Sequence, residues 1–105
     1  MWNRSPRLGV LERQLLDWLF ERGWVDVRTA HAAHESHERR SPNTIHSTLE
    51  RLIRKGLVER RREGRGFAYR VRITREAFLG RTLADALDDL PGCDSRSLLT
   101  AFGEI

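Results

Sequence analysis

Apolar residues return at helical spacing near the start of the chain, with Leu8, Leu11, Leu15, Trp18 and Leu19 on one side of a helix predicted over 8–22. Gly23 follows directly and suits the left-handed position that closes a helix. Trp24-Val25 then reads as a short extended piece. Asp26 is placed to cap a second helix, with Val27, Ala30 and Ala33 turned inward and an end between His34 and His37. The stretch 35–40 is polar and without period, which marks a connecting loop.

The third helix is specified chemically at both ends. Ser41-Pro42 offers an N-cap followed by proline at the first helical position, where its missing N–H costs nothing. Ile45, Leu49, Leu52 and Ile53 form one buried stripe, and Gly56 stops the helix after Lys55, so it is predicted over 42–55. A strand begins at Leu57-Val58 and runs into Glu59-Arg60-Arg61-Arg62. Glu63-Gly64-Arg65-Gly66 supplies a tight turn, and Phe67-Ala68-Tyr69-Arg70-Val71 alternates at period two, which completes a β-hairpin with a cationic tip. Thr74 can cap a fourth helix that Pro91-Gly92 breaks, and Asp94 or Ser95 can cap a short last one.

Three helices followed by a basic hairpin describe a mainly α fold with a small β-hairpin, a winged helix-turn-helix over 1–72. The segment 73–105 reads as C-terminal dimerisation helices. Its apolar set comprises Phe78, Leu79, Leu83, Leu87, Leu90, Leu98, Leu99 and Phe102, more than an appendage can bury against so small a domain. A second copy of the chain is the expected cover.

Length permits one core in 105 residues. Uninterrupted apolar stretches are too short for membrane insertion, and Arg4, Pro6 and Arg7 interrupt any signal-peptide pattern, so a cytoplasmic location is expected. The single cysteine, Cys93, excludes an internal disulfide and a thiolate metal cluster within one chain. Charge is concentrated: residues 1–72 hold 16 basic and 9 acidic side chains, against 3 and 6 in 73–105. Between Arg39 and Arg72 stand 11 basic residues and only Glu50, Glu59 and Glu63. Clustered arginine suits phosphate, because the guanidinium is always charged and donates bidentately.

Opposite the buried stripe, the third helix presents Asn43, Ser47, Glu50, Arg51 and Arg54, flanked by Thr44 and His46. Asn43, Thr44, His46, Ser47, Arg51 and Arg54 are the candidate DNA-reading residues of a helix placed to enter a major groove. Arg60, Arg61, Arg62 and Arg65 on the hairpin are candidates for backbone phosphates. The expected partner is a double-stranded DNA operator. No catalytic motif is present, so no enzyme is expected, and no cofactor or metal is implied. Two alternatives use the same fold: a protein-interaction module, and a metal-responsive DNA binder using His31, His34 and His37.

Leu11-Glu12 and Leu15-Leu16-Asp17-Trp18-Leu19, the run from Ser41 to Val58, and Glu63-Gly64-Arg65 with Tyr69 together resemble the penicillinase-repressor family of BlaI-, MecI- and CopY-type regulators. The resemblance implies a homodimeric repressor on a palindromic operator, often with TACA/TGTA-type half-sites. It also implies, for antibiotic-resistance members, relief of repression by a membrane-sensor protease. The copper-responsive branch carries paired Cys-x-Cys motifs, which this chain lacks.

Overall fold

The computed structural model describes residues 7–34, 40–89, 92 and 95–103, with the side chains at 95, 98, 99 and 102 left out. Its elements are α1 (Val10–Leu19), β1 (Val25–Asp26), α2 (Val27–His34), α3 (Pro42–Arg54), β2 (Val58–Glu63), β3 (Gly66–Val71), α4 (Arg75–Asp88) and α5 (Ser95–Gly103). They fall into two units, Leu8–Ile73 and a second that holds α4 and α5.

Within Leu8–Ile73, α3 packs against α1, α2 and β2. Leu15, Leu16, Leu19, Ala30, Ile45, Leu49, Leu52, Leu57, Val58, Ala68 and Tyr69 form the buried core. Ser41 caps α3 as expected, its hydroxyl accepting the Thr44 N–H at 3.2 Å with Pro42 in the first turn. At the other end Gly56 takes φ +78°, its N–H donates to the Ile53 carbonyl at 2.9 Å, and the Leu57 N–H reaches back to Leu52 at 3.1 Å. That pair of bonds is the Schellman closure that glycine permits. Ile53 proves half-buried, and Thr48, absent from the expected stripe, is fully buried because its hydroxyl is satisfied by the Thr44 carbonyl at 2.7 Å.

The hairpin forms around the expected turn, with Glu63 opposite Gly66 across two residues, of which Gly64 adopts φ +60°. The short extended piece after α1 is a third strand. It pairs antiparallel with β3, Val25 opposite Tyr69 and Asp26 opposite Ala68, giving the sheet order β1-β3-β2.

Three local expectations are corrected. Helix α1 ends at Leu19 rather than residue 22, and Gly23 is not among the glycines of positive φ. The Arg22 guanidinium performs the closure instead, donating to the Trp18 carbonyl at 3.0 Å while lying 4.3 Å from the Trp18 ring centre. Asp26 does cap α2, accepting the Thr29 N–H at 2.8 Å, but Ala33 is exposed. The inward position one turn after Ala30 belongs to His34, whose ring meets Trp18 edge-on at 5.2 Å.

In the second unit, Thr74 caps α4 by accepting the Ala77 N–H at 3.1 Å, as expected, and α5 packs on α4. The loop over 35–39, Leu90 and Cys93 lie outside the described residues.

Candidate nucleic-acid interface

The buried stripe of α3 fixes which side of the helix faces outward. Ile45, Leu49 and Leu52 are completely buried, so Asn43, Thr44, His46, Ser47, Arg51 and Arg54 are all exposed. They are polar and mostly short over the first two turns, which lets a helix approach base edges closely. The Ser47 hydroxyl donates to the Asn43 carbonyl at 2.6 Å and keeps its oxygen as an acceptor. Pro42 removes one N–H from the helix start, and the remaining N-terminal amides with their partial positive charge favour an anion there.

Two carboxylates brace this helix. Glu50, half-buried on α3, accepts the Arg60 guanidinium through both oxygens at 2.8 Å and the Tyr69 hydroxyl at 3.0 Å. His46 stands 3.8 Å from the same carboxylate. Strands β2 and β3 are thereby tied to α3 through one side chain. Burial, then the hydrogen bond and charge of Glu50, push the Tyr69 phenol up to about 12, with Arg60 pulling the other way.

Glu12 on α1 is the second brace. Its carboxylate accepts a hydrogen bond from Lys55 Nζ and lies 3.3 Å from Arg51 Nε. Burial opposes its ionisation, but the Lys55 hydrogen bond and charge, the Gly9 backbone N–H and the Arg51 charge outweigh that and hold the carboxyl below its ordinary 4.5. The pairing of Gly9 at the helix start with a glutamate three residues on is half of a capping box.

The hairpin arginines are less alike than their sequence suggests. Arg60 lies over Phe67 at 4.4 Å as well as on Glu50, and Arg62 approaches the same ring at 6.0 Å. Arg61 lies over Trp24 at 4.4 Å and pairs with Glu63 at 3.6 Å. Arg70 lies at the same distance from Trp24 and donates to Glu59 at 2.7 Å. Half-buried aromatic rings thus hold guanidinium groups against the sheet. Arg54 on α3 and Arg65 at the hairpin tip are exposed and have no ion pair or ring contact among the described residues.

The histidine trio is dispersed among other tasks. His31 Nε2–H donates to the Arg40 carbonyl and His34 Nδ1–H to the Ala30 carbonyl, each at 2.7 Å, while His37 lies outside the described residues. Among the described residues no group of three His, Cys, Asp or Glu is placed to hold a metal ion.

On α4 the apolar residues separate. Phe78 is 5% exposed in the single chain, whereas Leu79 and Leu83 are each 50% exposed one turn apart. Leu87 is half-buried; Leu90 and the side chains of Leu98, Leu99 and Phe102 lie outside the described residues. Sequence reasoning gave no role to Glu12, Trp24 or Tyr69, and no chain-local signal announces their partners, which are distant in sequence.

A helix bared on one side, seated on two others and joined to a cationic antiparallel hairpin, defines a winged helix-turn-helix of the kind that binds DNA. The chain belongs to the penicillinase repressor family, whose model matches residues 8–104, and is a DNA-binding transcriptional repressor. It is similar to the DNA-binding domain of the repressor BlaI, at 24% identity and a TM-score of 0.60 over 70% of this chain and 90% of that one. It is also similar to monomeric Bacillus licheniformis BlaI in complex with the blaP half-operator, at 25% identity and a TM-score of 0.56 over 70% and 89%. No curated protein gives a significant match. No described helix is long and apolar enough to cross a membrane.

Proposed function

We propose that the protein represses transcription as a homodimer on a palindromic operator in the cytoplasm, each copy laying α3 in a major groove and the β2–β3 hairpin along the backbone. The observation that carries this is the opposed burial of α3, with Ile45, Leu49 and Leu52 sealed and Asn43, Thr44, His46 and Ser47 open beside the hairpin. The half-operator bound to the similar BlaI supports DNA as the partner. Asn43, Thr44, His46, Ser47 and Arg51 read the groove, while Arg54, Arg62 and Arg65 meet phosphates. Arg60 and Arg61 act by holding the hairpin to Glu50 and Trp24, which sets the height at which Arg65 reaches the backbone. Leu79 and Leu83 on α4 give the second copy an apolar seam. Release by a membrane-sensor protease belongs to the same reading through the family.

Selection of bound duplexes from a random library tests it. The expected product is an inverted repeat whose half-sites lie on one face of the duplex, and whose affinity exceeds that of random DNA by at least about a thousandfold at moderate salt. Recovery of no preferred sequence would reject operator recognition.

A further inference from the structure

Glu12 is 7% exposed and stands in the first turn of α1, on a different helix from the candidate reading residues. Its two partners, Arg51 and Lys55, lie one turn apart at the C-terminal end of α3. Arg51 is gripped twice along one edge of its guanidinium. Nε faces Glu12 at 3.3 Å and Nη2 donates at 3.1 Å to the hydroxyl of buried Thr48. The rest of the group stays open, for the side chain is 45% exposed. A planar fork with partners along one edge turns less freely about its last torsions, so its remaining N–H groups favour one direction.

We propose that Glu12 is a positioning residue for DNA recognition, setting from beneath the recognition helix the plane in which Arg51 meets the duplex and hence the base step it selects. This rests on the reading of α3 as the groove-binding helix. A guanidinium already fixed loses less side-chain freedom on binding than one that must be ordered by the DNA. The same geometry spends binding on one register, since a neighbouring register would find the fork misaligned.

The sign of one substitution separates this role from general electrostatics. Glu12→Gln removes a negative charge beneath a surface that meets a polyanion, and charge alone would tighten binding to every duplex. Positioning requires the reverse for the operator. The full chain and its Glu12→Gln, Arg51→Ala and doubly substituted forms are titrated against the library-selected duplex and an unrelated duplex of equal length, with thermal melting in parallel. Expected is a loss of about fivefold to tenfold for Glu12→Gln on the selected duplex alone, absent in the Arg51→Ala background, as for two residues acting through one contact. Fresh selection with Glu12→Gln relaxes preference at the base step that Arg51→Ala relaxes. Glu12→Asp, which keeps the charge but withdraws it by one methylene, gives an intermediate relaxation and serves if the glutamine form does not fold.

Equal changes on both duplexes, or an undiminished loss without Arg51, would overturn the proposal. Full operator affinity in Arg51→Ala would overturn it while leaving the winged-helix reading in place. Failure to select any duplex would remove both.

Discussion

Replacing Tyr69 with phenylalanine deletes a single oxygen from the joint between sheet and recognition helix. The side chain is fully buried and its hydroxyl donates to Glu50 Oε2 at 3.0 Å. Burial and the neighbouring carboxylate raise the phenol from its ordinary 10.0 to about 12. The folded chain therefore holds this proton more tightly than the unfolded one, by about 2 to 3 kcal/mol. Because the folded pKa is the higher, that stability is complete below pH 10, where both states are protonated, and disappears as pH rises through about 12. At neutral pH, Tyr69→Phe costs about 1 to 2 kcal/mol, since Glu50 keeps Arg60 as a partner. Between pH 10 and 12 the variant lacks the alkaline loss that the native chain shows. The chain has a single tyrosine, so phenolate absorbance reports this group alone. The expected titration in the folded protein lies near 12 or coincides with loss of helical circular dichroism, while in concentrated urea it lies near 10. Ionisation near 10 with the helices intact would refute the Tyr69–Glu50 bond and the bracing argument built on it.

Leu49 is completely buried on α3, and Leu49→Ala should cost about 2 to 5 kcal/mol in urea unfolding; a loss below about 1 kcal/mol would mean that the stripe is not close-packed. Arg65→Ala should weaken selected and random duplexes alike and lower the salt slope by about one, and a loss confined to one sequence would count against a phosphate role. Leu83→Asp should halve the sedimentation mass and weaken binding to paired half-sites far more than to a single one; an unchanged mass would exclude that face of α4 as the seam.

The features legible in the sequence are those with a local chemical signature. Ser41-Pro42 and Lys55-Gly56 specify α3 within one residue because each end is a capping event among near neighbours. Thr74 and the Gly64-Arg65 turn are local in the same sense. Strand β1 has two residues, too few for any period, and its status as a strand comes from β3, far along the chain. Gly23 misled because glycine is only one way to close a helix, and the Arg22 side chain supplied another. Glu12 was visible as a letter in a motif and invisible as a partner, since Lys55 lies 43 residues away. Charge counting located the cationic third of the chain but could not tell which arginines are engaged. That depends on Phe67, Trp24 and four glutamates whose positions only the folded chain defines.

That distinction has a measurable consequence for the strength of DNA binding. The segment 39–72 has 11 basic residues, and if each neutralised a phosphate the logarithmic salt slope would be about −10 per protomer. Arg51 and Lys55 share Glu12, Arg60 holds Glu50, Arg61 faces Glu63 and Arg70 binds Glu59, so each already has a carboxylate within its reach. Arg54, Arg62, Arg65 and Arg72 have no carboxylate partner among the described residues. A cation that arrives with its own counter-charge releases few ions from the duplex, so these four should dominate, and with Arg39, outside the described residues, and Arg40, which donates to Gln14 at 3.2 Å, the slope on a single half-site should lie at about −4 to −5. Removing one of the four should flatten it by about one, whereas Arg70→Ala should leave it nearly unchanged. A measured slope near −10 would mean that the carboxylates release their cations on binding, and the hairpin held by Glu50 and Glu59 in the free protein would not be the hairpin that meets DNA.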